Sequence, residues 1–214
     1  MPKKKNKRIV TPVGISQYAW LTSPDTRFDE EGVFKVNLML VTTDAKTLIQ
    51  QIDDSLKDSI ALAKEKAKGK NIKEAPLPYS AELDDKNNLT GNTIFKFKCK
   101  AQITTSNGTV IPNRVALFDS KGTPLVDVNI WSGSEMKISA DVIPYYTSMV
   151  GAGVSLRLRA CQITKLVEGG GYSATGYGFA EETGYEVTTE ESSDTEEGKD
   201  ENVLEESKDK ETDF

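Results

Sequence analysis

The chain of 214 residues contains no histidine and only two cysteines, so it lacks the commonest general base and the commonest zinc ligand. Its net charge of −6 is unevenly distributed, because residues 181–214 hold 15 acidic residues against 3 lysines whereas residues 1–180 carry a balance of +6. This asymmetry predicts a basic body that meets nucleic acid or a membrane surface, and an acidic interaction tail; an ordinary domain with a solubilising tail is the competing interpretation.

The two cysteines and the N-terminus indicate the cellular compartment. Cys99 and Cys161 lie far apart in alternating apolar runs, which favours reduced core thiols over a disulfide or a metal site. No run of about 18 apolar residues is present. The N-terminal sequence MPKKKNKR leads into an expected strand and not into an apolar signal segment. We therefore expect a cytoplasmic protein that does not cross a membrane.

Apolar and polar residues alternate with period two through most of residues 9–167, which predicts β-strands. The strongest turn signals are Asn107-Gly108 and the sequence DSKG at 119–122. In chain order, the predicted strands have the sequences RIVTPVGISQYAWLT, GVFKVNLMLV, NTIFKFKCKAQIT, TVIPNRVALFD, EMKISADVI and GVSLRLRACQITKL.

One predicted helix interrupts the strands, from Asp44 to about Lys68. Thr43 or Asp44 can cap its start and Gly69 can end it. Residues 71–88 then read as a long loop back to the sheet. The apolar stripe that should pack the helix onto the sheet consists of Leu48, Ile52, Leu56, Ile60 and Ala63.

Five or six short strands with one helix after the second predict a mainly β fold, a five- to six-stranded barrel of the OB-fold type, with a β-sandwich as the alternative. The Gly-rich sequence GGGYSATGYGF marks a junction, and the sequence beyond Glu181 has too few apolar residues to fold alone. The expected divisions are a basic arm (1–8), an OB-fold barrel domain (9–168), a Gly-rich linker (169–180) and a disordered acidic tail (181–214).

Two basic rows are the main candidates for a binding surface. In FKFKCK, Lys96, Lys98 and Lys100 share one strand face at intervals of about 6.6 Å. In VSLRLRA, Arg157 and Arg159 share the face opposite to the leucines. A barrel can bring two such rows to one groove that follows a phosphate backbone, although each row alone is equally consistent with a solvated face.

Binding of single strands also requires aromatic faces, since stacking of a base on an aromatic side chain is worth about 1–3 kcal/mol. Tyr18 and Trp20 share a strand face, which can instead belong to the core. Tyr145 and Tyr146 follow a proline in an expected turn, so at least one of them should be exposed. Trp131 in NIWSGS is a further candidate.

The sequences GVFKVNL, FKFKCK, FDSKG and VIPYYTSMVGAGVSLRL, the EGGG junction, the acidic tail and the final Phe214 resemble the replication single-stranded DNA-binding proteins of short-tailed bacteriophages. The similarity follows residues 10–171 in order. It implies an OB-fold body that coats single-stranded DNA and promotes annealing in phage replication, recombination and repair. It also implies a tail that contacts the phage polymerase and primase-helicase in the cytoplasm of the infected bacterium.

The resemblance assigns roles to individual positions. Lys96 and Lys98 match the family's basic strand, and Tyr145 matches its DNA-contacting aromatic. Glu31 occupies a position that is basic in a family member, so Lys35 or Arg157 is expected to bind DNA in its place. The partner-binding residues are Phe214, which matches the terminal aromatic, and Asp213 beside it. The predicted DNA-binding set is Lys35, Lys96, Lys98, Lys100, Tyr145, Tyr146, Arg157, Arg159, Trp20 and Trp131.

Two rival functions remain at this point. A metal-dependent nuclease would use Asp119, Asp127 and Asp141, but these carboxylates do not form a recognised motif. A DNA-mimicking interaction protein would have a body without affinity for DNA once the tail is removed. We expect no enzymatic activity, no catalytic residue, no metal and no cofactor. Formation of a homodimer is left open.

Overall fold

Ten strands and one helix make up the described part of the computed structural model, residues 6–67 and 72–167. The predicted linker, the acidic tail with Asp213 and Phe214, and the predicted helix end at Gly69 lie outside the described residues. The elements are β1 (Lys7–Val10), β2 (Gly14–Asp25), β3 (Val33–Val41), α1 (Thr42–Ala67), β4 (Tyr79–Leu83), β5 (Leu89–Lys100), β6 (Gln102–Thr104), β7 (Val110–Pro112), β8 (Ala116–Phe118), β9 (Glu135–Thr147) and β10 (Gly151–Lys165).

Five strands close into a ring in the order β2, β3, β5, β10 and β9, with β9 pairing back to β2. Neighbouring strands of this ring are antiparallel except β5 and β10, which are parallel. Strands β1, β4 and β8 extend the sheet from β9, β5 and β10. This closed ring confirms the predicted OB-fold type of barrel and excludes the β-sandwich.

The alternation of the sequence determines which side chains fill the barrel. Phe95, Phe97 and Cys99 of β5 are buried, whereas the lysines between them point outward and are exposed. Cys161 of β10 is also buried, and both cysteines are free thiols, as predicted. Burial raises the pKa of both thiols, so they are protonated near neutral pH.

Helix α1 follows the second strand of the ring, as predicted, and packs against β9 and β10. It begins at Thr42, two residues before the predicted start. Leu48, Ile52 and Ala63 of the apolar stripe are buried. The helix also buries Ser59, whose hydroxyl connects the backbones of β9 and β10.

The structure differs from the predicted elements where a strand was expected to continue. The first predicted strand is divided at Pro12, which follows β1, and β1 begins at Lys7 within the expected basic arm. The third and fourth predicted strands are each divided in two, so that β6 and β7 form a separate hairpin around Asn107-Gly108. Gly108 has φ 83°, which a glycine adopts without strain.

Two further segments were wrongly predicted as irregular. The predicted loop 71–88 contains β4, which pairs with β5; the ring of Tyr79 packs against Phe95 with centroids 5.7 Å apart. The expected turn at Tyr145 and Tyr146 is instead the continuation of β9 to Thr147. Pro144 is tolerated inside this strand, and residues 148–150 make the turn.

Candidate nucleic-acid interface

An open groove of about 870 Å³ lies over β5 and β10 and brings the two predicted basic rows together. Because β5 and β10 are parallel neighbours, Lys98 lies directly opposite Arg157. Segment 72–78 and the start of β6 complete the walls with Pro76, Pro78 and Ile103. The predicted DNA-binding residues that line the groove are Lys96, Lys98, Lys100, Tyr145, Arg157 and Arg159.

The cations of this surface divide into two groups by their partners. Lys96, Lys98 and Arg157 have no carboxylate within salt-bridge distance among residues 6–67 and 72–167. Lys100, in contrast, is held by Glu31 at 2.8 Å and Arg159 by Asp141 at 2.7 Å. The first group therefore contributes uncompensated positive charge at the middle of the groove.

Lys35 lies across the β3–β5 ladder from Lys98, but its ammonium group is occupied. It forms an ion pair with the buried carboxylate of Asp25, which also accepts hydrogen bonds from Arg27 at 2.9 and 3.0 Å. The hydrogen bonds from Arg27 and Lys35 hold the pKa of Asp25 well below its usual range. Of the two cations expected to act in place of a basic residue at Glu31, Arg157 is the one that faces the groove without a partner among the described residues.

Tyr145 is the aromatic side chain that enters the groove. Its ring lies against Gly153 on β10: a Cβ at Gly153 would stand 2.6 Å from Tyr145 Oη and 2.7 Å from Cζ. The backbone at this point is fixed from α1, because the hydroxyl of Ser59 donates to the Tyr145 carbonyl and accepts from the Gly153 N–H at 2.9 Å. A glycine opposite the tyrosine thus leaves room for the ring against the neighbouring strand.

The other predicted aromatics do not line this groove. Tyr146 is half-buried beside Ala152, on the face of β9 opposite to Tyr145. Trp20 is half-buried under the guanidinium of Arg27, 4.9 Å from its ring centroid. Trp131 is 54% exposed on the connection before β9, and its carbonyl accepts a hydrogen bond from β2.

Sequence reasoning missed several groove residues that have no motif of their own. Pro76, Pro78 and Ile103 reach the groove because of how their segments cross the barrel. Asp29 and Glu31 place carboxylates in the groove lining next to Lys100. Alternation predicted the five groove cations of β5 and β10, whereas the positions of these other lining residues depend on how the chain connects the strands.

Two of the three carboxylates of the rival nuclease hypothesis, Asp119 and Asp141, have other partners. Asp119 accepts the backbone N–H groups of Lys121 and Thr123 at 2.8 Å, which closes the predicted DSKG turn. Asp141 accepts hydrogen bonds from Arg8 and Arg159. Among the residues described, no group of three or more His, Cys, Asp or Glu side chains could hold a metal ion. No helix in the same residues has the length and apolar content needed to span a bilayer.

Known phage proteins resemble this chain in sequence and in fold. A single-stranded DNA-binding protein of Enterobacteria phage T3 is 28% identical over 98% of both chains, and that of Escherichia phage T7 is 30% identical over 78% of this chain and 79% of its own. The crystal structure of gp2.5, a single-stranded DNA-binding protein encoded by bacteriophage T7, has a TM-score of 0.67 and 27% identity, covering 86% of this chain and all of that one.

A more distant structure shares the fold alone. The single-stranded DNA-binding protein from bacteriophage Enc34, in complex with single-stranded DNA, has a TM-score of 0.52 and 15% identity over 77% of this chain and 89% of that one. The family model described as "Single-stranded DNA-binding protein, Bacteriophage T7" matches residues 13–166, which include the whole barrel ring and the groove. The chain belongs to this family of phage single-stranded DNA-binding proteins.

Proposed function

We propose that the chain binds single-stranded DNA in the groove over β5 and β10, without sequence preference, during phage replication and recombination. The observation that carries this proposal is the meeting of Lys96, Lys98 and Arg157, uncompensated within the described residues, with the ring of Tyr145 in one open groove. Cations neutralise phosphates and an aromatic face stacks on a base. Together these are the two means by which single strands are bound without reading sequence.

The preference for single strands over duplex follows from the same side chains. Tyr145 can stack only on a base whose face is free, and the bases of a duplex are stacked on each other. The groove cations are long side chains that reach phosphates, and contacts to phosphates carry no sequence information. The strand is therefore held by its backbone and by one or more unstacked bases.

The proposal also covers what happens to single-stranded DNA once it is bound, and what the acidic segment does. Coating keeps bases unpaired and protected, and release along the groove allows complementary strands to anneal. The acidic residues 181–214, with Asp213 and Phe214, recruit the phage polymerase and primase-helicase. The opposite charges of the body and this segment, and the family resemblance, support these roles. In these proposed roles the protein acts in the cytoplasm of the infected bacterium, without enzymatic activity of its own.

Titrations of mixed-sequence single-stranded DNA, duplex DNA and RNA at several salt concentrations test the proposal. With about 4–6 phosphates neutralised, the logarithm of the affinity should fall against the logarithm of salt with a slope of about −3 to −4. Oligonucleotides of different sequence but equal length should bind alike. Binding that is independent of salt, or that favours duplex, would contradict the proposal.

A further inference from the structure

A short N-terminal strand brings a third arginine to the edge of the groove. Arg8 of β1 lies opposite Asp141 in the β1–β9 ladder, and Arg157 lies opposite Asp141 on the other side, in the β9–β10 ladder. Arg8 Nε donates to Asp141 Oδ1 at 3.0 Å, and Arg159 Nε donates to Oδ2 at 2.7 Å. One carboxylate therefore orients two arginines that come from the first and the last of the described strands.

The charges of this cluster do not balance. The side chain of Asp141 is 6% exposed, whereas those of Arg8 and Arg159 are 64% and 43% exposed. Burial alone would raise the pKa of Asp141, but the hydrogen bonds from Arg159 and Arg8 outweigh it and lower the pKa, so the carboxylate is ionised. Two guanidinium groups share one carboxylate, and Arg157, whose backbone lies opposite Asp141, adds a third cation without a partner among the described residues, so positive charge remains at the surface.

The free ends of the two arginines are suited to an anion. Each guanidinium is bound to Asp141 through Nε, and its terminal amino groups make no hydrogen bond to the described residues. Hydrogen bonding through Nε fixes the orientation of the guanidinium plane while leaving these amino groups available. A planar fork of donors that is already oriented matches the oxygens of a phosphate and loses little entropy on binding.

We propose that Arg8 and Arg159, oriented by Asp141, form a second phosphate site that extends the path of single-stranded DNA out of the groove, across β9 to β1. Arg159 lines the groove, and Arg8 lies beyond its edge. Two strand spacings, about 10 Å, separate the backbones of β10 and β1. Because both guanidiniums meet at Asp141, the site adds one phosphate contact next to the groove. This inference rests on the proposed function, because it continues the same strand.

The experiment uses oligonucleotide length to locate the second phosphate site. The full chain and its Arg8→Ala variant are titrated with mixed-sequence single strands of increasing length at several salt concentrations. The shortest strands that fill the groove should bind both proteins alike. Longer strands should bind the variant about five- to tenfold more weakly, with a salt slope reduced by about one, because one fewer phosphate is neutralised.

Matched variants separate this site from the proposed function and from a structural role. Lys46→Ala removes an exposed cation of α1 outside the groove and should change nothing. Arg8→Lys retains the charge without the fork and should give an intermediate loss of affinity on long strands. If Lys98→Ala weakens binding but Arg8→Ala does not, the proposal of a second phosphate site is wrong and the proposal of binding in the groove stands. If neither variant weakens binding, the proposed function itself is wrong.

Two other outcomes would also overturn the second site. Equal losses of affinity on short and long strands would place Arg8 within the groove and not beyond it. A lower melting temperature with unchanged affinity and slope at every length would show that Arg8 only attaches β1 to β9. Should Arg8→Ala fail to fold, Arg8→Gln, which preserves much of the side-chain length, answers the same question with the same readouts.

Discussion

The ring of Tyr145 occupies the space that a side chain at Gly153 would need. A Cβ at Gly153 would lie 2.6 Å from Tyr145 Oη and 2.8 Å from the Cβ of Ala75, both far inside contact distance. Gly153 is not one of the described glycines with a positive φ. A glycine is therefore needed at this position to leave space for the Tyr145 ring and not to adopt a left-handed backbone conformation. The orientation of the groove aromatic therefore depends on a residue that has no side chain.

Gly153→Ala should displace the Tyr145 ring and weaken single-strand binding without changing the salt slope, since no charge is removed. Crowding of this kind costs about 1–3 kcal/mol of unfolding free energy, so the melting temperature should also fall. A double-mutant cycle with Tyr145→Ala provides the check. The alanine at 153 should have little further effect on affinity once the ring is absent, and additive effects on affinity would contradict the coupling.

Tyr145→Ala should cost about 1–3 kcal/mol of single-strand affinity, because one stacked base loses its platform. The salt slope should stay the same, which separates stacking from phosphate contacts. Trp131→Ala is the matched control, since it removes an exposed aromatic side chain outside the groove lining. Weaker binding with Trp131→Ala and unchanged binding with Tyr145→Ala would move the stacking surface to the connection before β9.

Changing Lys96 and Lys98 together to alanine should weaken binding to all sequences alike and reduce the salt slope by about one or more. The melting temperature should hardly change, because exposed charges without a partner in the described structure contribute little to folding. The Lys46→Ala/Lys121→Ala double variant removes the same charge from exposed positions outside the groove lining. Equal weakening by both double variants would indicate an effect of net charge and not of the groove.

The sequence predicted the parts of this protein that depend on local pattern. Period-two alternation in FKFKCK places the phenylalanines in the core and the lysines outside, and the order of strands and helix predicts the barrel. The resemblance to phage single-stranded DNA-binding proteins is confirmed by the family match. The paired strand that continues through Pro144 was missed because proline usually ends a strand.

What the sequence could not predict is which cations are already paired. Lys35, Lys100 and Arg159 satisfy the same alternation as Lys98, but each meets a carboxylate on a segment brought close only by the fold. The packing of the Tyr145 ring against Gly153 likewise depends on the register between β9 and β10. Such pairings set how much positive charge the groove presents, and they become visible only in three dimensions.

The buried Asp25 should make the stability of the barrel sensitive to acid. Its pKa is lower in the folded chain than in the unfolded chain, where it is about 4, because Arg27 and Lys35 stabilise the carboxylate. The unfolded state therefore takes up a proton first as the pH falls. The stabilisation from Asp25 should be complete above pH about 4 and be lost progressively below it.

Urea unfolding of the wild type and of Asp25→Asn at several pH values measures this contribution. The variant should be less stable near neutral pH and should show a shallower loss of stability in acid, because it has no carboxylate to protonate. Asp85→Asn changes the same charge at an exposed position and serves as the control. Parallel pH profiles for wild type and Asp25→Asn would contradict the role given to the Arg27 and Lys35 contacts.

Deletion of residues 181–214 should raise the affinity for single-stranded DNA, most strongly at low salt. This segment carries 15 acidic residues against 3 lysines, and a polyanion joined to the same chain acts on the groove at about millimolar effective concentration. DNA and the acidic segment should then compete for Lys96, Lys98 and Arg157, and added salt should screen both. A full-length variant in which the acidic residues of 181–214 are changed to their amides tests whether the effect on DNA affinity comes from the charge of the segment or from its size. It should bind DNA as tightly as the truncated chain, whereas wild-type affinity in both proteins would show that the acidic residues do not compete for the groove.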